Sequence, residues 1–85
     1  MKWSLVLTNP ATRALRRAPR HERDQILAVL RELEDDPYAG DIKLLKGTQG
    51  SVRRRVGDWR ILFDLKTDNH LIVVINIVRR GSHTY

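Results

Sequence analysis

The hairpin that decides the fold is residues 51–63, SVRRRVGDWRILF. Two β-prone segments flank Gly57-Asp58, and this pattern predicts two antiparallel strands joined by a two-residue turn. Three consecutive arginines and a fourth at Arg60 place much positive charge inside these strands. Because strand side chains alternate between the two faces of a sheet, the pattern also predicts which arginines share a face.

Alternation divides this hairpin into an apolar side and a basic side. The apolar positions are Val52, Val56, Trp59, Ile61 and Phe63. If these pack against the core, Arg53, Arg55 and Arg60 lie together on the opposite, open face. Arg54 falls among the core-facing positions, so we expect it near a sheet edge with its guanidinium extended to water.

The chain has 85 residues, and this length predicts a single domain over residues 1–85. Its net charge of +6 is unevenly distributed. Residues 1–42 hold seven basic and seven acidic residues, whereas residues 43–85 hold nine basic and three acidic ones. Charge asymmetry of this kind favours a polyanionic partner such as nucleic acid, although a solvated basic face gives the same pattern. The absence of cysteine excludes disulfides and thiolate metal sites.

Two helices are predicted in the first half, after a short strand at Trp3–Leu7. Asn9 is the expected cap of the first helix and Pro10 its first residue. Pro19 separates it from a second helix over residues 20–36. The apolar stripes are Ala11, Ala14, Leu15 and Ala18 in the first helix, and Ile26, Leu27, Val29, Leu30 and Leu33 in the second.

The second half is predicted to be mostly sheet. Residues 38–50 read as a connection, and residues 67–69 as a turn before a last strand over residues 71–78. The nearly continuous apolar sequence of that strand indicates a central strand covered on both faces. The predicted fold is α+β with the order β-α-α-β-β-β. A two-helix hairpin packs on one face of an approximately four-stranded, mainly antiparallel sheet.

One local feature is unfavourable. Glu34, Asp35 and Asp36 crowd the end of the second helix, where the helix dipole disfavours anions. A basic neighbour in the fold would offset this cost, but the sequence does not identify it.

Several functional classes are excluded or disfavoured by the pattern. His21, His70 and His83 have no ligand spacing, so we expect no metal, and neither a P-loop nor a GxGxxG motif is present. No segment reads as a signal peptide or a membrane span, and we expect a cytoplasmic protein. Taken alone, Tyr85 reads as a packed terminal residue and His83 as a solvated tail residue.

The run LKGTQGSVRRRVGDWRILF, followed after an apolar strand by RRGSHTY, resembles the RelE-type toxins of the RelE/ParE toxin–antitoxin superfamily. The opening TNPATRALRRAPRHERDQILAVLRELEDDPYAG is similar to the two-helix segment of that family, so the resemblance covers almost the whole chain. It implies a ribosome-dependent endoribonuclease that cleaves mRNA in the A site without a metal or other cofactor. The RNA's 2′-hydroxyl would attack the adjacent phosphate.

The resemblance also implies residue roles. Arg53 and Arg55 would bind the scissile region and lower the pKa of Tyr85, the general base. Arg60 would stabilise the phosphate in the transition state. Arg80, or Arg79 in a different register, would assist the leaving group, and His83 is an alternative acid. The full catalytic set is Arg53, Arg55, Arg60, Arg80 and Tyr85, and the RNA-binding set is Lys43, Lys46, Arg54, Arg79 and His83.

The expected partners are a cognate antitoxin, the ribosome and mRNA. The antitoxin is expected to cover the basic face with a segment that folds on binding. Two other functions stay open at this point. One is a ParE-like inhibitor of DNA gyrase, whose branch generally lacks the Arg-plus-Tyr ending, and the other is a noncatalytic RNA-binding module on the same fold.

Overall fold

The computed structural model describes residues 2–44 and 51–79, which form two helices and a five-stranded sheet. The elements are β1 Ser4–Leu7, α1 Asn9–Arg17, α2 Arg20–Asp35, β2 Ile42–Leu44, β3 Ser51–Val56, β4 Trp59–Lys66 and β5 Leu71–Arg79. The strands lie in the order β1-β5-β4-β3-β2, with β1 and β5 parallel and the other pairs antiparallel. The predicted α+β class and element order are confirmed.

The strand count is five rather than four because the predicted connection contains β2. This strand has only three residues, too few to show a period in sequence. It pairs antiparallel with β3 over Val52–Arg54, and the Arg55 N–H donates to the Asp41 carbonyl at 2.9 Å. As a consequence β3 is an interior strand with a neighbour on both sides.

Both helices bury the stripes that their spacing predicts. Ala11 and Ala18 of the first stripe are buried, as are Ile26, Leu30 and Leu33 of the second. The cap of α1 is Thr8 rather than Asn9, since the Thr8 side chain accepts a hydrogen bond from the Ala11 N–H at 3.3 Å. The hydroxyl of Thr8 also donates to the Ile75 carbonyl, which joins the start of α1 to β5.

Strand β5 contains a bulge that simple alternation does not predict. Leu62 lies opposite Asn76 and Phe63 opposite Val74, so the pairing skips Ile75. Val74 and Ile77 are therefore both buried on the helix-bearing side, although three positions separate them. The bulge reverses the alternation for the remainder of the strand, including Arg79.

The two faces of the sheet differ in what covers them. The helix-bearing face packs on α1 and α2 through Val52, Trp59, Ile61, Phe63 and Ile77. No described element covers the opposite face, where Val6 of β1 is 47% exposed. The last strand is an interior strand as predicted, and on its open face Val78 is only 6% exposed, whereas Ile75 at the bulge is 37% exposed. Neither described helix is long and apolar enough to cross a membrane.

Candidate nucleic-acid interface

Four basic residues come together on the open face of the sheet. Lys43 lies opposite Arg53 across the β2–β3 pair, and Arg55 lies opposite Arg60 across the β3–β4 pair. Directly paired residues project to the same face, and Arg53 and Arg55 share it because they are two positions apart on one strand. We call Lys43, Arg53, Arg55 and Arg60 the basic face.

The electrostatics of the basic face are unfavourable for the sheet itself. Like charges directly opposite each other destabilise a strand pair, and Arg55 and Arg60 form such a pair. Asp41 offsets part of this cost, because its carboxylate lies 3.8 Å from the Arg55 Nε atom. The sequence pattern did not indicate Asp41, which sits just before β2.

Arg53 differs from Arg55 because it has no ion-pair partner among residues 2–44 and 51–79. Its Nε atom is buried and has no hydrogen-bond partner among these residues. A guanidinium held in this way keeps its outer N–H groups for a ligand. Its planar fork matches a phosphate or a carboxylate.

Arg54 lies on the helix-bearing face and has a different environment. Its Nη1 donates to the Ala39 carbonyl at 2.9 Å, and its Nη2 donates to Glu32 Oε2 at 3.0 Å. The side chain is only 11% exposed. The expectation of an edge position was wrong, because β2 covers that side of β3 and the guanidinium binds protein groups instead of water.

Arg54 also brings positive charge close to the acidic end of α2, although its partner is Glu32 rather than Glu34, Asp35 or Asp36. It pairs with Glu32 in the last part of this helix and binds the loop that follows it. Gly40 makes the approach possible, since it has φ +81° and a Cβ there would overlap the Arg54 guanidinium. At the same helix end Lys2 lies 3.9 Å from Asp35, an exposed pair of small energetic value.

Arg79 also lies on the helix-bearing face, because the β5 bulge turns it to the side of Trp59. Its Nη2 donates to Glu22 Oε1 at 2.9 Å, and its Cζ lies 5.5 Å from the centre of the Trp59 ring. Trp59 Nε1 donates to the same Glu22 oxygen at 2.9 Å. Arg79 is thus bound to the first turn of α2 and is not part of the basic face.

Four of the predicted site residues lie outside the described residues: Lys46, Arg80, His83 and Tyr85. Because Arg79 is on the other face, Arg80 remains the candidate for the arginine beyond β5. Within residues 2–44 and 51–79, no three His, Cys, Asp or Glu side chains group as metal ligands. The basic face can bind anions through its lysine and arginine side chains.

Solved structures with the same fold include several toxins. An archaeal RelE–RelB complex from Pyrococcus horikoshii matches with a TM-score of 0.82 and 23% identity, over 95% of this chain and 98% of that chain. The isolated E. coli RelE toxin matches with a TM-score of 0.81 and 17% identity, over 96% and 88%. A YoeB/ParE toxin from Agrobacterium tumefaciens matches with a TM-score of 0.77 and 22% identity, over 93% and 99%.

These likenesses establish the fold. A search of curated protein sequences gives no match. The family model for the ParE toxin of the type II toxin–antitoxin system parDE matches residues 5–84, which is nearly the whole chain. The predicted relationship to the RelE/ParE superfamily is confirmed, and the chain belongs to the ParE toxin family of type II toxin–antitoxin systems.

Proposed function

We propose that this toxin is a metal-independent endoribonuclease that cleaves mRNA in the ribosomal A site and so inhibits translation. One observation carries the proposal: the basic face gathers four cationic side chains on three adjacent strands, and Arg53 has no anionic partner among the described residues. A sheet gains no stability from such a cluster, whereas a bound phosphate chain removes its repulsion.

The proposed chemistry uses the RNA as its own nucleophile. The 2′-hydroxyl loses its proton to the Tyr85 phenolate and attacks the adjacent phosphorus. The bond to the 5′-oxygen breaks, and that oxygen takes a proton from His83 or from water, which leaves a 2′,3′-cyclic phosphate on one fragment and a 5′-hydroxyl on the other. Arg60 stabilises the charge that develops on the phosphoryl oxygens, and Arg80 or His83 assists the departing oxygen.

The basic face also defines the proposed partners. Arg53 and Arg55 bind the RNA around the scissile phosphate, with Lys43 and Lys46 at the rim. A cognate antitoxin with an acidic segment would cover the same side chains and block access to RNA. Several of the similar folds were solved as toxin–antitoxin complexes, which supports such a partner. A toxin acting on ribosomes would work in the cytoplasm.

A second candidate is a DNA gyrase inhibitor, and the match to the ParE family model favours it. In this case the basic face would bind gyrase, and the toxin would cleave no RNA. The ending RRGSHTY favours the nuclease, because it supplies the arginine and tyrosine that the proposed chemistry needs.

Primer extension on translated mRNA tests the proposal. Wild-type toxin should produce cuts that depend on ribosomes, and Tyr85→Phe should reduce the cleavage rate on the order of 100-fold or more, as for the loss of a general base. Tyr38→Phe is the matched control, because Tyr38 is the other tyrosine of the chain and lies 55% exposed between α2 and β2. It should cleave like wild type.

Each alternative has its own result in the same experiment. Translation arrest that survives Tyr85→Phe unchanged would contradict tyrosine catalysis and favour a noncatalytic RNA-binding module. Intact ribosome-bound mRNA together with inhibited gyrase supercoiling would establish the second candidate instead.

A further inference from the structure

A groove of about 340 Å³ lies between α1 and β5, at the end of the sheet that carries the Gly57-Asp58 turn. Arg13 and Arg17 line it from α1, and Trp59 and residues 76–79 line it from the sheet. Strand β1 pairs with β5 only as far as Val74, so the later residues of β5 have no described strand on this side. Helix α1 stands beside them instead.

The charge of this groove is not neutralised by the described residues. Arg13 and Arg17 are four positions apart, so they project from the same face of α1. Both are exposed, and neither forms an ion pair in the described part of the chain. Arg79, the third arginine of the lining, is held by Glu22. The groove therefore presents two available guanidinium groups.

The groove lies close to the basic face although it opens on another side of the sheet. Val78 lines the groove and is the direct neighbour of Arg60 in the β4–β5 pair. Adjacent strands are about 4.8 Å apart, so the groove begins one strand beyond Arg60. A polyanion bound at Arg55 and Arg60 would reach Arg13 and Arg17 by passing around the end of the sheet.

An extended acidic peptide is the other ligand to consider, since free strand edges bind peptides through their backbone. The groove is poorly suited to this mode, because the Ile77 N–H already donates to the side chain of Asn76 at 2.8 Å. The donors that the groove does offer are the guanidinium groups of its side chains, and these are suited to binding phosphates.

We infer that this groove is a second nucleic-acid site, in which Arg13 and Arg17 each bind a phosphate of the same RNA strand beyond the segment held by the basic face. The inference rests on the proposed function, because it takes RNA to be the ligand. It adds a site on α1 that is separate from the cleavage chemistry.

Salt-dependent binding tests the groove without relying on cleavage. The probe is a short single-stranded RNA with 2′-O-methyl groups, which has no attacking hydroxyl, and binding is followed by fluorescence anisotropy between 50 and 200 mM salt. Arg13→Gln/Arg17→Gln should reduce the slope of log K against log salt by about 1.4, the value for two lost phosphate contacts on a single strand. Arg16→Gln/Arg20→Gln removes the same charge from exposed positions and should change the slope by less than half as much.

The possible results separate the two proposals. Equal slope changes in the two double variants would overturn the groove site and leave RNA binding by the basic face intact. Loss of affinity for the antitoxin with unchanged RNA binding would also overturn it, since the groove would then be a peptide site. If wild-type toxin binds no RNA even at low salt, the groove site is overturned, whereas the proposed function is judged separately by ribosome-dependent cleavage in the primer-extension experiment. Thermal melts of both variants, and of Arg13→Gln alone, verify that the binding data come from folded protein.

Discussion

Arg53 and Arg54 are neighbours on β3, yet the two faces of the sheet give them opposite surroundings. Arg54 binds Ala39 and Glu32 on the helix-bearing face and is almost completely enclosed. Arg53 lies on the open face without an anionic partner in the described residues. The same side chain therefore serves the fold at one position and is available for a ligand at the next.

The difference shows that an arginine in the sequence can indicate either a structural contact or a ligand-binding group. An arginine with an acid and a carbonyl arranged around it stabilises the native state through charge-assisted hydrogen bonds. An arginine beside other cations raises the free energy of the unliganded protein and lowers it again when an anion binds. Substitution of an arginine on the helix-bearing face should therefore lower stability and leave RNA affinity unchanged. Substitution on the open face should lower RNA affinity and leave stability nearly unchanged.

Gly40→Ala should have the largest effect on stability. Alanine is strained at φ +81°, and its Cβ would displace the Arg54 guanidinium from Ala39 and Glu32. We expect the free energy of unfolding to fall by about 3 kcal/mol, measured by urea denaturation. If the Arg54 contacts carry most of this loss, the same change in an Arg54→Met background should cost only about 1 kcal/mol. Additive losses would show that Gly40 acts independently of Arg54.

Arg54→Met should follow, with a loss of about 2 kcal/mol in the free energy of unfolding. Methionine keeps the aliphatic part of the side chain, but Ala39 and Glu32 lose their donor. Glu32 is 59% exposed, so water compensates for part of the lost ion pair and the value stays moderate. A denaturation midpoint equal to that of wild type would mean that the enclosed guanidinium contributes nothing to the fold.

Much of this arrangement follows from the sequence because alternation and helical spacing are local. The period of two in the hairpin separates Arg53 and Arg55 from Val52 and Val56, and the structure places these residues on the predicted faces. The breaks at Pro19 and Pro37 likewise predict the extent of the second helix to within a residue.

What the sequence does not predict depends on contacts between distant residues. Glu32 and Arg54 are 22 positions apart, and Glu22 and Arg79 are 57 apart, so no local pattern links them. The bulge at Ile75 is a single skipped residue in an apolar run, with no glycine to mark it. Strand alternation therefore predicted which arginines share the open face, but it could not predict the contacts of Arg54 or the face on which Arg79 lies.

The smallest stability change is expected for Arg53→Met, and this variant tests the comparison most directly. Because Arg53 has no partner in the described residues, the free energy of unfolding should stay within about 0.5 kcal/mol of wild type. Binding of single-stranded RNA should nevertheless weaken, with a salt slope smaller by about 0.7, the value for one phosphate contact. Arg54→Met is the matched control, since it removes the same charge from the same strand and should leave the slope unchanged. A slope that falls equally in both variants would mean that Arg54 also binds RNA, and the division of the arginines between the two faces would then be wrong.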